Sequence, residues 1–175
     1  MMGTAATMGI DENLALAARR GKFRSLMPGI TTKEKAQYKE LLAELDLGLE
    51  NRITSKVGLL SGGQRQAITL LMASLKRPKL LLLDEHTAAL DPKTAAKVLD
   101  TTEKIVQKDN LTTIMITHNM KDAIAHGNRL IMMNSGNIIF DISGEEKKKL
   151  TVEELLEKFA IASGKELDND RMMLG

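Results

Sequence analysis

Cysteine is absent from the 175 residues. This excludes a disulfide framework and any cysteine-ligated zinc site, and it fits a reducing compartment. Aromatic residues make up only 2%, too few for the platforms on which single-stranded nucleic acids stack. Neither charge sign dominates: 25 lysines and arginines stand against 23 aspartates and glutamates, for a net charge of +2. No strongly basic nucleic-acid-binding face is expected from that balance. Long apolar runs are missing as well. The longest clean aliphatic stretch, Leu80 to Leu83, falls far short of the roughly 20 residues of a membrane-spanning helix. The start, Met1-Met2-Gly3-Thr4, lacks a charged segment followed by an apolar one, so no secretion signal is expected. Three prolines and 13 glycines, with no fixed-period repeat, exclude fibrous and low-complexity classes. What is present is 43% hydrophobic and 27% charged, enough for one domain with a buried core.

The first third reads as helices. Ile10 to Arg20 sets Leu14, Ala17 and Ala18 on one face and stops at Gly21, which tolerates a left-handed backbone. Thr31 and Glu34 form a capping box that opens a second helix carrying Leu41, Leu42 and Leu45 before Gly48. The period then changes. Lys79-Leu80-Leu81-Leu82-Leu83 follows Pro78 as a continuous apolar run, the pattern of a parallel strand buried on both faces. Asp91-Pro92 starts a helix through Val98, Leu99, Ile105 and Val106, and Leu111 to Thr117 reads as the next strand. Strand, helix, strand predicts a parallel α/β sheet. A short helix ends near Gly127. Arg129 to Asn134 and Asn137 to Ile142 form a hairpin around Ser135-Gly136, and Thr151 with Glu154 caps a last helix carrying Leu155, Leu156 and Phe159. The tail from Asp168 onward is expected to fray.

Three clusters carry chemistry. Leu60-Ser61-Gly62-Gly63-Gln64-Arg65-Gln66 precedes a helical pattern with Ala67, Ile68, Leu71 and Leu75. A serine and two glycines at a helix start leave amides bare, with the positive end of the helix dipole behind them, which suits a phosphate. The apolar strand ends in Asp84-Glu85, and ligands of parallel sheets bind beyond the carboxyl ends of strands. Asp84 suits Mg2+ through oxygen coordination, and Glu85 suits a role as acceptor for the proton of an attacking water. Thr117-His118-Asn119 ends the next strand, where a histidine can hydrogen-bond a phosphoryl oxygen. Taken singly, each has an ordinary reading: a turn before a helix, acids entering a loop, a polar loop histidine. Together, and in this order, they gain weight.

These clusters resemble the ABC ATPase family. Leu60-Ser61-Gly62-Gly63-Gln64 looks like its signature motif without a substitution, Leu80 to Asp84 like its Walker B strand, and Glu85 falls at its catalytic glutamate. Ala89-Leu90-Asp91 resembles the D-loop and His118 the switch histidine. The resemblance runs to about Ile142. It implies an α/β P-loop NTPase fold of the ABC type, truncated, with a helical signature subdomain. The implied organisation is a helical subdomain over 1–76, the C-terminal half of the ATPase core over 77–144, and a helical extension over 145–175. It also implies ATP and Mg2+ as ligands, Glu85 and His118 as catalytic, Asp84 at the metal, and Ser61, Gly62, Gly63, Gln64 and Asp91 at ATP. In the family two such domains sandwich two ATP molecules, each signature facing the other subunit's phosphate loop. A homodimer with a membrane permease follows, on the cytoplasmic face of the membrane, with no nucleic acid. The region of Ile10 to Arg20 is expected near the permease's coupling helix, with Met1, Met2 and Met8 either in that contact or in the local core.

The sequence also departs from the family. No GxxxxGK[ST] segment occurs, so the amide nest and lysine for the chain's own ATP are missing, as is the Q-loop glutamine. The chain alone is therefore expected to be inactive. The missing strand should leave sheet edges exposed, so aggregation or a covering partner segment is expected. His86 stands where most of the family has proline. Asp84, Glu85 and His86 are consecutive and so poorly placed to converge on one ion. His126 reads as a surface residue at a helix end, and Lys147-Lys148-Lys149 and Arg19-Arg20-Lys22-Arg24 as solvated faces. Two other readings stand beside the transport ATPase: a non-enzymatic fragment that supplies only the signature face, and a soluble ABC ATPase acting on DNA or ribosomes. Resemblance to bacterial importer ATPases suggests small solutes such as amino acids, although substrate and direction reside mostly in the permease.

Overall fold

A computed structural model describes residues 3–21 and 29–163 of the chain. Met1, Met2, Lys22, Arg24 and the tail from Asp168 lie outside the described residues. The chain divides into two units, Met1–Met115 and Ile116–Gly175.

In the first unit, helices α1 (Ile10–Ala18), α2 (Thr32–Glu44) and α3 (Gly62–Ser74) enclose one core. Ile10, Leu14, Leu42, Leu49, Val57, Ala67 and Ile68 are fully buried in it, so the apolar spacing of the three helices does close on a common centre. Thr31 caps α2: its hydroxyl accepts from the Glu34 amide, while Glu34 accepts from the Thr31 amide at 2.7 Å. Such a box stabilises a helix start by about 1 kcal/mol. Asn13, buried in α1, fixes the preceding loop. Its carboxamide accepts from the Ala5 amide at 2.8 Å and donates to the Ala5 and Gly9 carbonyls. Met8 in that loop is half-buried.

Strand β1 (Leu81–Asp84), helix α4 (Pro92–Asp109) and strand β2 (Thr113–Ile116) follow, with β1 and β2 neighbours in a two-stranded sheet. Leu81, Leu83 and Leu111 pack with Leu70 of α3. The expectation of a strand buried on both faces is corrected here. Leu81 and Leu83 are buried, but Leu82 is 66% exposed, and on β2 Ile114 is 53% exposed. Among the described residues, Leu81 and Leu83 find their buried partners on the side of α3 and α4, so the leucine run alternates between core and solvent.

The second unit holds α5 (Met120–Ala125), the antiparallel hairpin of β3 (Arg129–Asn134) and β4 (Asn137–Ser143), then α6 (Gly144–Lys149) and α7 (Val152–Ser163). Ser135 and Gly136 both take positive φ, 50° and 82°, the backbone of a two-residue hairpin turn. Leu130, Leu150 and Leu155 form its buried centre. Lys147 corrects the solvated reading of its lysine run. It is 3% exposed, and its ammonium donates to the carbonyls of Ile124 and His126 at the end of α5. Burial pushes this amine below the ordinary lysine range. Lys148 and Lys149 are exposed, and His126 is half-buried as the C-cap of α5.

Candidate nucleotide site

Ser61 is the N-cap of α3. Its hydroxyl accepts from the Gln64 amide at 3.3 Å, and the Gln64 carboxamide oxygen accepts from the Ser61 amide at 3.2 Å. The helix start expected at Ser61 is present, but the amides are not all bare, because Ser61 holds that of Gln64. Gln64 also donates to the Leu47 carbonyl, so its side chain braces the loop from within. The two glycines have a packing reason that the sequence reading missed. A Cβ on Gly63 would overlap Cγ2 of Thr94 on α4, and one on Gly62 would sit 3.1 Å from the Leu90 side chain. The close approach of α3 to α4 thus brings Ser61–Gly63 beside Leu90–Thr94, the signature-like and D-loop-like segments.

Asp91, exposed, caps α4 by accepting from the Thr94 amide at 3.1 Å. Hydrogen bonds from Thr94, through its side chain and then its amide, hold this carboxyl below the usual range. A negative charge at a helix N-terminus also suits the dipole.

Asp84 closes β1 and is exposed; Glu85 follows, also exposed, with a backbone φ of 43°. A left-handed conformation in a residue that carries a side chain costs about 1–3 kcal/mol and gathers at functional sites. Around it, Gln66 of α3 donates to the His86 carbonyl at 2.6 Å, and the His86 Nε2 lies 3.2 Å from the Thr102 hydroxyl of α4. Gln66 closed the first cluster in the sequence without a role of its own, and Thr102 was not singled out. The available signal was position: Gln66 shares a helical face with buried Gly63 and Leu70, where a polar group needs a partner. His118 is exposed and precedes Asn119, the N-cap of α5, in the second unit. Its approach to Glu85 stays an expectation of the resemblance.

The donor set can be weighed against the expected ligands. Mg2+ is commonly held by one or two carboxylates plus substrate phosphates, and the exposed carboxylate of Asp84 fits that mode. For a phosphate, the capped start of α3 offers the Ser61 hydroxyl and the positive helix end. The cradle and lysine for a nucleotide of the chain's own are absent from its 175 residues.

Comparison with known proteins bears on the family and the fold. A family model described as ABC transporter matches residues 4–88. A tyrosine transport ATP-binding protein of Clostridioides difficile (strain R20291) is 48% identical over 92% of this chain and 64% of its own length. A methionine import ATP-binding protein of Streptococcus pneumoniae (strain ATCC BAA-255 / R6) is 34% identical over 81% of this chain and 39% of its own. The chain thus spans under two thirds of these curated relatives. Among solved structures, a dimeric ATP-binding cassette in a post-hydrolysis state, bound to ADP and Pi, superposes with a TM-score of 0.64. It is 27% identical and is matched over 81% of this chain and 59% of that one. Sequence match, shared fold and the order of the motifs coincide, and the chain belongs to the ABC transporter ATP-binding protein family, with the P-loop NTPase fold of its cassettes.

Proposed function

We propose that this chain is the signature-bearing part of an ABC transporter ATPase, which works as a dimer of nucleotide-binding domains bound to a membrane permease. The observation that carries the reading is the start of α3. Ser61 caps it with a hydroxyl still able to donate a hydrogen bond, and Gly62 and Gly63 stand at the positive end of the helix. In a dimer this end meets the γ-phosphate of a nucleotide held by the partner domain. The solved cassette, dimeric and bound to ADP and Pi, supports by analogy the dimer and its nucleotide. Gln64 shapes the loop, and Asp91 braces the neighbouring start of α4.

Asp84, at the rigid end of β1, is the group that would hold Mg2+, and the ion would supply positive charge to offset that of the phosphates. Glu85 accepts a proton from the attacking water or orients it, and His118 donates to the transferring phosphoryl group. These roles apply to a polypeptide extended at its N-terminus by a phosphate-binding segment, since this chain's sequence has none. The chain by itself is expected to turn over little ATP. Residues 1–76 act as the helical subdomain, 77–144 as core and 145–175 as extension. The tyrosine-transport relative, at 48% identity, favours an amino acid as cargo. Among the described residues no helix is long and apolar enough to cross a membrane. Membrane contact through a permease, on its cytoplasmic side, is proposed from the kinship with transport ATP-binding proteins.

The test is Glu85→Gln in the extended protein. Without a carboxylate to take the proton, it should bind ATP, stay dimeric in sedimentation and lose at least about 100-fold in turnover. Turnover near wild type removes Glu85 from this role.

A further inference from the structure

Glu85 sits between two fixed points of the main chain. Before it, Asp84 is the last residue of β1. After it, the His86 carbonyl accepts the Gln66 carboxamide at 2.6 Å, and the Glu85 carbonyl itself accepts from the Ala88 amide at 3.1 Å. The His86 ring is anchored too. The Thr102 hydroxyl donates its one hydrogen to the Val98 carbonyl at 2.8 Å, so toward the imidazole it can only accept. Nε2 of His86 therefore carries a proton and donates to Thr102 across 3.2 Å. Gln66 reaches the turn from α3, Thr102 from α4. Between them Glu85 holds its left-handed φ of 43°, which a side-chain-bearing residue keeps only where its surroundings over-determine it.

We propose that Gln66 is a positioning residue, whose carboxamide ties the helix beginning at Ser61 to the turn that presents Glu85. The inference rests on the role given to Glu85 above. Gln66 lies just over one turn along α3 from Gly62, and a helix moves as a rigid rod over that length. A tilt of α3 at its phosphate-facing start is therefore passed to the His86 carbonyl through one short hydrogen bond, and from there to Glu85. In a dimer the start of α3 serves the partner's nucleotide, whereas Glu85 serves the chain's own. Gln66 thus connects the two sites within one subunit. His86 is the second anchor of the same turn: its ring ties to α4 while its carbonyl receives α3.

A double-mutant cycle in the extended protein tests this, using single-turnover hydrolysis of radiolabelled ATP to resolve slow variants. Gln66→Met keeps the length and packing of the side chain and removes the donor. It should lower the hydrolysis rate on the order of tenfold, leave the ATP concentration at half-maximal rate within about twofold, and add no further loss in the Glu85→Gln background. An equal loss in both backgrounds marks a purely structural role and overturns the inference, as does no loss at all. Near-wild-type hydrolysis in Glu85→Gln alone contradicts the role of Glu85, and the inference falls with it. A second measurement needs no turnover. In the 175-residue chain, the carbon shifts and three-bond couplings of Glu85 should report positive φ and lose that signature in Gln66→Glu, an acceptor-only replacement of similar size. An unchanged signature overturns the proposal.

Discussion

A methyl group at Gly63 would run into Cγ2 of Thr94, and Thr94 is β-branched, with no flexible end to swing aside. Gly63→Ala should therefore destabilise the chain by about 1–3 kcal/mol in urea unfolding. Thr94→Ser, which removes the obstructing methyl, should recover most of that loss. Full retention of stability in Gly63→Ala alone would contradict the packing account of this glycine. Glu34 gives a second prediction at the same scale. The Thr31 amide, then the Thr31 hydroxyl and, more weakly, Arg19, hold its carboxyl below the ordinary value. A folded-state value below the unfolded one means stability that is fully present above the unfolded value, about 4.3, and is lost as pH falls through the lower folded value. An NMR titration should find the Glu34 midpoint below the ordinary glutamate value. Glu34→Gln, which can still accept at the cap, should flatten the acid limb of α2 unfolding. A Glu34 midpoint at or above the ordinary value contradicts the cap geometry.

At the scale of elements, the helix starts were legible because their signals are local. Thr31 with Glu34, Asp91 before Pro92, and Thr151 with Glu154 each satisfy amides within three residues; at Ser61 the helix start was legible, but not the reciprocal bonds with Gln64. The Ser135-Gly136 turn was legible for the same reason. What stayed hidden depends on distant partners. Lys147 is buried because carbonyls 23 and 21 residues back, on Ile124 and His126, receive its ammonium, and nothing in Glu145-Glu146-Lys147-Lys148-Lys149 foretells that. The exposure of Leu82 depends on what packs over the sheet, which a four-leucine run does not encode. The Gln66 and Thr102 contacts with His86 likewise join segments 20 and 16 residues apart. The burial of Lys147 yields a prediction of its own. Lys147→Ala strips two carbonyls of their donor and should cost about 1–3 kcal/mol, read by urea unfolding of the chain. Lys148→Ala, at an exposed neighbour, should stay within about 0.5 kcal/mol of wild type. Equal effects at both positions contradict the buried latch.

For the molecule as a whole, the sheet of β1 and β2 presents Leu82 and Ile114 to solvent, and the chain spans only 64% of the length of its tyrosine-transport relative. Exposed apolar groups on a short, open-edged sheet favour self-association. Light scattering should therefore find the chain associating with rising concentration. Leu82→Lys should suppress that while moving stability by no more than about 0.5 kcal/mol; undiminished association in the variant would place the sticky surface elsewhere. The central claim is that this chain carries the half of a nucleotide site that faces a partner's phosphates, and no cradle for its own. Titration with a fluorescent ATP analogue in the presence of Mg2+, on the 175-residue chain and on a version extended at its N-terminus by a phosphate-binding segment, tests it most directly. The account predicts micromolar binding by the extended protein and binding at least about 100-fold weaker by the chain alone. Equal affinity for the two proteins would contradict it.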